Sequence, residues 1–300
     1  MDVVDVDGLV TGLAEHSYLA DDDLATAMFL ALRMERPILL EGEAGVGKTA
    51  IAHVMAALLE TDLIRLQCHE GLDLAQAAYD WDHARQLLHL RAAEATGEAA
   101  AAGATELRDG LYGGDFLIRR PLLHAIDHGG DPPVLLIDEV DRADDEFEAF
   151  LLEILSEYAI TIPELGTFST DQPPLVILTS NRTRDLHDAL KRRCLYHWVE
   201  HPSRERETAI IRLRVPQASA TIAQQVADVA ATLREHGLYK PPGIAETIDW
   251  AHALTVMGAT ELDPRLAEVT LGALLKYRED TERVVGHGVA AMLEASFGRR

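Results

Sequence analysis

The chain has 300 residues, 48% of them hydrophobic and 26% charged, a balance that matches a folded globular protein and excludes a disordered or fibrous one. Fifty Asp and Glu against 27 Lys and Arg leave a formal charge of −23, a field that repels phosphate backbones and disfavours nonspecific nucleic-acid binding. No apolar run approaches the roughly 20 residues that span a bilayer. The acidic start Met1-Asp2-Val3-Val4-Asp5 is the wrong flank for a secretory signal. Two cysteines, Cys68 and Cys194, make neither a disulfide framework nor a zinc site, so the expected location is the reducing cytoplasm.

Apolar spacing predicts a first helix within 18–35, after an Asp-rich start. Pro37-Ile38-Leu39-Leu40 reads as a buried strand ending in a Gly-rich turn, and Ala50 to Leu59 as a helix. Leu63 to Leu66 is a second strand, and 92–106 an Ala-rich biased stretch, either a surface helix end or a loop. Phe116 to His128 reads as an amphipathic helix, Val134 to Ile137 as a buried strand and Phe147 to Ser156 as a helix. Tyr158 to Phe168 reads as a hairpin, Leu175 to Leu178 as a strand, 185–191 as a short helix and Leu195 to Val199 as a last strand. Beyond Pro202 only helical periodicity recurs, at about 203–214, 217–236, 244–257, 264–277 and 279–297. The expected organisation is an α/β domain over 1–201, with a mostly parallel sheet flanked by helices, followed by an all-α domain over 203–300.

Gly42-Glu43-Ala44-Gly45-Val46-Gly47-Lys48-Thr49 fits the phosphate-binding loop G-x-x-x-x-G-K-[ST], between a predicted strand and a predicted helix. Glycines let backbone N–H groups curl around phosphates, and the helix N-terminus adds a favourable dipole. Lys48 would reach the β- and γ-phosphates of ATP, and the Thr49 hydroxyl would ligate Mg²⁺. Val134 to Ile137 delivers Asp138 and Glu139 at the end of a buried strand, the sheet edge at which open parallel sheets bind ligands. Asp138 would hold Mg²⁺ through its water shell, and Glu139 would polarise the attacking water. Leu178-Thr179-Ser180-Asn181 ends the next strand, and Asn181 can orient that water. In Lys191-Arg192-Arg193-Cys194 the cations either favour a helix C-terminus or supply an arginine finger to a neighbouring subunit, with Arg193 preferred over Arg192.

This order of motifs resembles the AAA+ ATPases, whose fold is a P-loop α/β domain with an all-α lid. More closely it resembles their MoxR branch, and within it the ATPases that accompany molybdenum-containing carbon monoxide dehydrogenases. The similarity is carried by RPILLEGEAGVGKTAIA (36–52), LIRLQCHEGLDLAQAAYDWDHARQLLHLR (63–91), VLLIDEVDRADDEFEAFLLEILSEY (134–158), TIPELGTF (161–168) and LTSNRTRDLHDALKRRCLYHWVEHP (178–202). The resemblance implies a Mg²⁺-dependent ATPase that assembles into a homo-oligomeric ring, a hexamer, and acts as a chaperone. It also implies a von Willebrand factor A-type partner and a metalloenzyme client, while the net charge and the lack of an apolar span argue against nucleic acid and membrane insertion. It aligns Arg193 with the finger and Gln67 with a polar residue that restrains the catalytic Glu. MoxR relatives carry a second sensor arginine in a Ser-Pro-Arg turn; here the corresponding turn is Lys240-Pro241-Pro242-Gly243, leaving Lys240, Arg265 or neither in that role. Alternative readings are a clamp-loader-like ATPase linked to nucleic acid and a nucleotide-gated scaffold without significant hydrolysis.

Other features have ordinary explanations. His124 and His128 stand four apart, as helix surface or half of a metal site. Trp81, Trp198 and Trp250 are expected in the core. Arg182 and Arg184 contact nucleotide across an interface or solvate a helix end. The partner surface is expected to be acidic and to include 69–115 and the hairpin at 161–168, with Leu165→Asp as its probe and deletion of the Ala-rich piece 96–104 expected to be milder.

Overall fold

The computed structural model describes residues 4–96 and 110–298; the Ala-rich stretch lies outside the described residues from position 97 onward. Five strands form a parallel sheet in the order β2-β5-β8-β1-β9: β1 Ile38–Gly42, β2 Leu63–Gln67, β5 Val134–Asp138, β8 Leu175–Ser180 and β9 Leu195–Val199. β1, β5 and β8 are buried at every position, which explains their unbroken apolar runs: both faces are covered by helices. The chain divides into two compact units, each assembled from separate segments.

The first unit takes Thr26–Leu40 and Met55–His197, as far as they are described. Its core gathers Leu66, Leu123, Leu135, Ile137, Leu151 and Leu178. Register brings the carboxyl ends of its strands level, with Gln67 opposite Asp138 on β2 and β5, and Ile137 opposite Leu178 on β5 and β8. α7 (Asp145–Glu157) follows a short 3₁₀ turn at Val140–Arg142 and starts where the Asp144 carboxylate accepts the Phe147 N–H at 3.0 Å. β6 (Ala159–Ile162) and β7 (Gly166–Ser169) make the expected hairpin.

One expected helix here is partly a strand. Residues 117–119 form β4, antiparallel to β3 (Tyr79–Trp81), and the helix begins only at Pro121, running to Ile126 as α6. Proline at the first helical position has no N–H to lose, so it marks the true start. The amphipathic pattern from Phe116 merged the apolar face of a strand with that of a helix. α4 (Leu74–Ala77) and α5 (His83–Thr96) complete the described part of this segment.

The second unit takes Val3–Ala25, Glu41–Val54 and Trp198–Arg300, as far as they are described. It holds α1 (Val6–Glu15), which the periodicity did not reveal, the phosphate-binding loop at the start of α3 (Lys48–Leu59), and the C-terminal helices. These are α9 (Arg204–Arg214), α10 (Ala220–Glu235), α11 (Ile244–Val256), α12 (Pro264–Leu274), α13 (Arg278–His287) and α14 (Val289–Phe297). They pack around fully buried Trp250. The helix expected over 279–297 is two helices, because Gly288 takes φ +91° between them. Trp198 is 36% exposed, contrary to expectation: it lies on the alternating strand β9. α2 (Asp22–Met34) spans the division and begins where the Asp21 carboxylate accepts the Leu24 N–H.

Candidate functional site

In the second unit, β1 ends at Gly42 and α3 begins at Lys48, so the loop between them must reverse within five residues. Gly45 and Gly47 take φ of +82° and +98°, conformations that side chains disfavour. The Lys48 side chain is buried and its ammonium donates to the carbonyls of Gly42 and Glu43, at 2.8 and 2.7 Å. Its cation is therefore held at the crest of the loop, which fits a polyphosphate's charge.

The turn Lys240-Pro241-Pro242-Gly243 meets this loop. The Ile244 N–H donates to the Gly45 carbonyl at 2.9 Å, and a Cβ on Gly243 would lie 2.8 Å from Gly45 Cα. Glycine is required by this approach of two backbones. Lys240 itself is exposed, with its backbone N–H on Asp280 at 3.0 Å, and Arg265 is exposed at the second position of α12. The arginine that does support the turn is Arg234, which sequence reasoning missed. Its Nε donates to the Pro242 carbonyl at 2.8 Å, and its other two nitrogens fork onto Glu207 at 2.6 and 2.8 Å. Glu207 is fully buried and also accepts the Thr247 hydroxyl at 2.9 Å. His201, two residues after β9, reaches the loop, with Nε2 3.2 Å from the Glu43 carboxylate and Nδ1 buried without a partner. Burial, and then Arg234, push the His201 pKa down, against the opposing pull of Glu43 and Glu207.

In the first unit, the strand ends assemble a polar cluster. Thr179 faces Asp138: its hydroxyl donates to Asp138 Oδ1 at 2.6 Å and accepts the Glu139 N–H at 2.9 Å. Arg65, two residues before Gln67 on β2, donates to Asp138 Oδ2 at 2.5 Å and also to the Gln67 side-chain oxygen. Glu139 sits in the left-handed region, φ +54° and ψ +51°, a strain that recurs at functional positions. Its carboxylate accepts from three side chains: Gln67 Nε2 at 3.1 Å and Arg142 Nη1 at 3.1 Å on Oε2, and Asn181 Nδ2 at 3.3 Å on Oε1. The loop carrying Asn181 is pinned by buried Asp141, which accepts the N–H groups of Asn181 and Thr183 and the Thr183 hydroxyl. Cys68 lies beside this cluster, buried and free, its thiol pushed up to about 12 by burial and by the Asp138, Asp141 and Glu139 carboxylates.

Asp138, Glu139, Asn181 and Gln67 are thus brought together at the strand ends. Arg65, Thr179, Asp141 and Arg142 were not anticipated. Only Arg142 carried a local signal, standing three residues after Glu139. For a hard cation, the Asp138 carboxylate at this strand end is a suitable oxygen donor. Among the described residues no group of three or more His, Cys, Asp or Glu is placed to hold a metal. His128 instead sits against the Gln172 carbonyl at 3.2 Å, and His124 is exposed.

The finger segment is α8 (Asp188–Arg193). The Arg193 guanidinium caps the end of α7, donating to the Leu155 carbonyl at 3.2 Å and to the Ser156 carbonyl, while Arg192 is exposed. Arg36 donates to the carbonyls of Arg192 and Arg193 at 3.1 and 2.9 Å. Arg184 is engaged with the Ala143 carbonyl and Glu148, and Arg182 lies 3.9 Å from Asp185.

A five-stranded parallel sheet, a phosphate-binding loop and an Asp-Glu strand end define a P-loop ATPase fold of the AAA+ class. Residues 37–194 match the AAA domain (dynein-related subfamily), and the chain belongs to that family. No curated protein matches it. Among solved structures, a RuvB point mutant from Thermotoga maritima is similar with a TM-score of 0.50 at 17% identity, covering 100% of this chain and 84% of that one. The Thermotoga maritima RuvB Holliday junction branch migration motor gives 0.48 at 19% identity, over 93% and 80%. At such identity the likeness is one of fold. Among the described residues no helix is long and apolar enough to cross a membrane.

Proposed function

We propose that the chain is a MoxR-type AAA+ ATPase that hydrolyses MgATP in a homo-oligomeric ring, a hexamer, and uses the energy to mature a protein client in the cytoplasm. The observation that carries the hydrolase reading is the meeting of Asn181 with Glu139, 42 positions apart in sequence, at 3.3 Å. Those are the two groups assigned to the attacking water. Gly42 to Gly47 would cradle the phosphates, Lys48 would neutralise them, and Thr49 and Asp138 would hold the cation. When bound, Mg²⁺ supplies Lewis-acid charge neutralisation at the phosphate oxygens. Arg193 is proposed as the finger by alignment and Arg192 by its exposure.

The chaperone role rests on the resemblance and on one surface. An open cleft of about 410 Å³ in the first unit is lined by Asp73, Leu74, Tyr79, Trp81 and Glu164, so it joins the two segments expected to meet a partner. A von Willebrand factor A-type protein and a metalloenzyme are the proposed partner and client. Leu165 packs against the core, so Leu74, 41% exposed, is the better probe.

Turnover by Glu139→Gln should fall at least roughly a hundredfold with ATP affinity retained, whereas Lys48→Ala should lose ATP affinity. Wild-type turnover by Glu139→Gln would sink the hydrolase reading. Arg193→Ala and Arg192→Ala, each mixed with Lys48→Ala subunits, identify the finger as the variant whose activity recovers in mixed rings; no recovery in either, with subunit exchange shown, removes the in-trans role. Stimulation of hydrolysis by DNA would favour the nucleic-acid alternative, and hydrolysis absent from the wild type the scaffold.

A further inference from the structure

We infer that Arg142 is a positioning residue that restrains Glu139 and sets the resting hydrolysis rate, releasing it by turning into the acidic cleft alongside. The inference rests on the reading that Glu139 orients the attacking water. Glu139 Oε2 accepts two donors, the Gln67 amide and the Arg142 guanidinium, both at 3.1 Å. A carboxylate oxygen offers about two lone-pair directions, so a water approaching Oε2 must displace one of them. Oε1 is in turn shared with Asn181.

Of the two donors on Oε2, Arg142 is the one with somewhere else to go. Its side chain is 58% exposed and lines an open cleft of about 650 Å³ with Glu70, Asp144, Asp145, Glu146 and Arg184. The Asp144 carboxylate is committed to the start of α7, and Asp145 faces Arg184 at 3.4 Å. Asp141, which also lines the cleft, is taken by Asn181 and Thr183, so Glu70 and Glu146 are the remaining acids that could receive the guanidinium. A half-exposed ion pair is weak and readily exchanged, so little free energy holds Arg142 at Glu139. Whatever draws it into the cleft frees one side of Glu139. The left-handed backbone at Glu139 fixes where its carboxylate starts, so release of the side chain does not require the strand end to move.

The experiment is steady-state ATP hydrolysis of the full chain, with nucleotide affinity read by a fluorescent ATP analogue and folding by melting temperature. Arg142→Ala should raise kcat three- to tenfold with KM and nucleotide affinity unchanged, and Arg142→Lys should fall between. Gln67→Ala should also raise kcat, and the double variant should gain less than the product of the two, since both donors share one oxygen. Glu70→Gln with Glu146→Gln removes the alternative partners and should lower kcat two- to threefold. A kcat at or below wild type for both Arg142→Ala and Arg142→Lys, with Glu139→Gln inactive, overturns the inference and leaves the hydrolase reading intact. A wild type without hydrolysis overturns both.

Discussion

The phosphate-binding loop and the Asp138–Glu139 strand end are built by opposite means. The loop is made of backbone: positive φ at Gly45 and Gly47, a lysine satisfied by carbonyls of its own loop, and a close approach of Gly243 to Gly45. The strand end is made largely of side chains contributed by three separate segments, at 65–67, 138–142 and 179–183. Backbone geometry is specified by residue type at fixed spacing, so a loop of this kind is readable in a short motif. A side-chain network is specified by pairing of distant segments, and it can be tuned one donor at a time.

The largest effect should come from beneath the loop. Glu207→Ala strands the Arg234 guanidinium next to a buried threonine, and breaking a buried pair costs about 3–5 kcal/mol. The melting temperature should fall by roughly 10 °C and ATP affinity with it; an unchanged melt would show that the turn at 240–243 does not depend on this pair. Gly243→Ala comes next. Its Cβ has no room against Gly45 Cα and the Ala44 carbonyl, so overpacking should cost about 1–3 kcal/mol. Gly272→Ala on α12, where nothing lies within 4 Å, should instead stabilise by about 0.5–1 kcal/mol. Equal melts for the two would break the claim that backbone approach defines the loop.

On the carboxylate side, Thr179→Val keeps the shape but leaves the Glu139 N–H without its acceptor, at a cost of about 1–3 kcal/mol. Hydrolysis should drop by at least roughly tenfold from misplaced carboxylates, while nucleotide affinity holds. Loss of affinity instead would mean that the two regions are not separable. The smallest effect concerns pH. The folded-state pKa of His201 is depressed, so the unfolded chain binds the proton first as pH falls below about 6.5. Stability should therefore be intact above that pH and decline beneath it. His201→Gln should flatten the decline in a melting series from pH 7.5 to 5.5, and an unaltered slope would assign it to other groups.

Much of the fold was legible because buried parallel strands have unbroken apolar runs, as at 134–137 and 175–178. The misreading at 117–119 has the same root: a three-residue strand leading into a helix keeps apolar residues in nearly helical spacing. Within the candidate site, Asp138, Glu139 and Asn181 were visible because each terminates a strand. Arg65 was not, because nothing near it in sequence says that it reaches Asp138, 73 positions away. Asp141 looked like one more acid in an acidic run, yet it is 2% exposed and organises the loop after β8. Arg234 stands in a run of helical periodicity that carries no sign of its partner, and only the fold shows it donating to the Pro242 carbonyl.

Arg36 gives the first unit one further property. This residue, one step before Pro37 and β1, grips the last two carbonyls of the helix bearing Arg192 and Arg193. The strand that feeds a subunit's own phosphate loop is thereby fastened to the arginines that the same subunit would lend its neighbour. In the proposed ring, such a fastening would tie the root of β1 in one subunit to the cation offered next door.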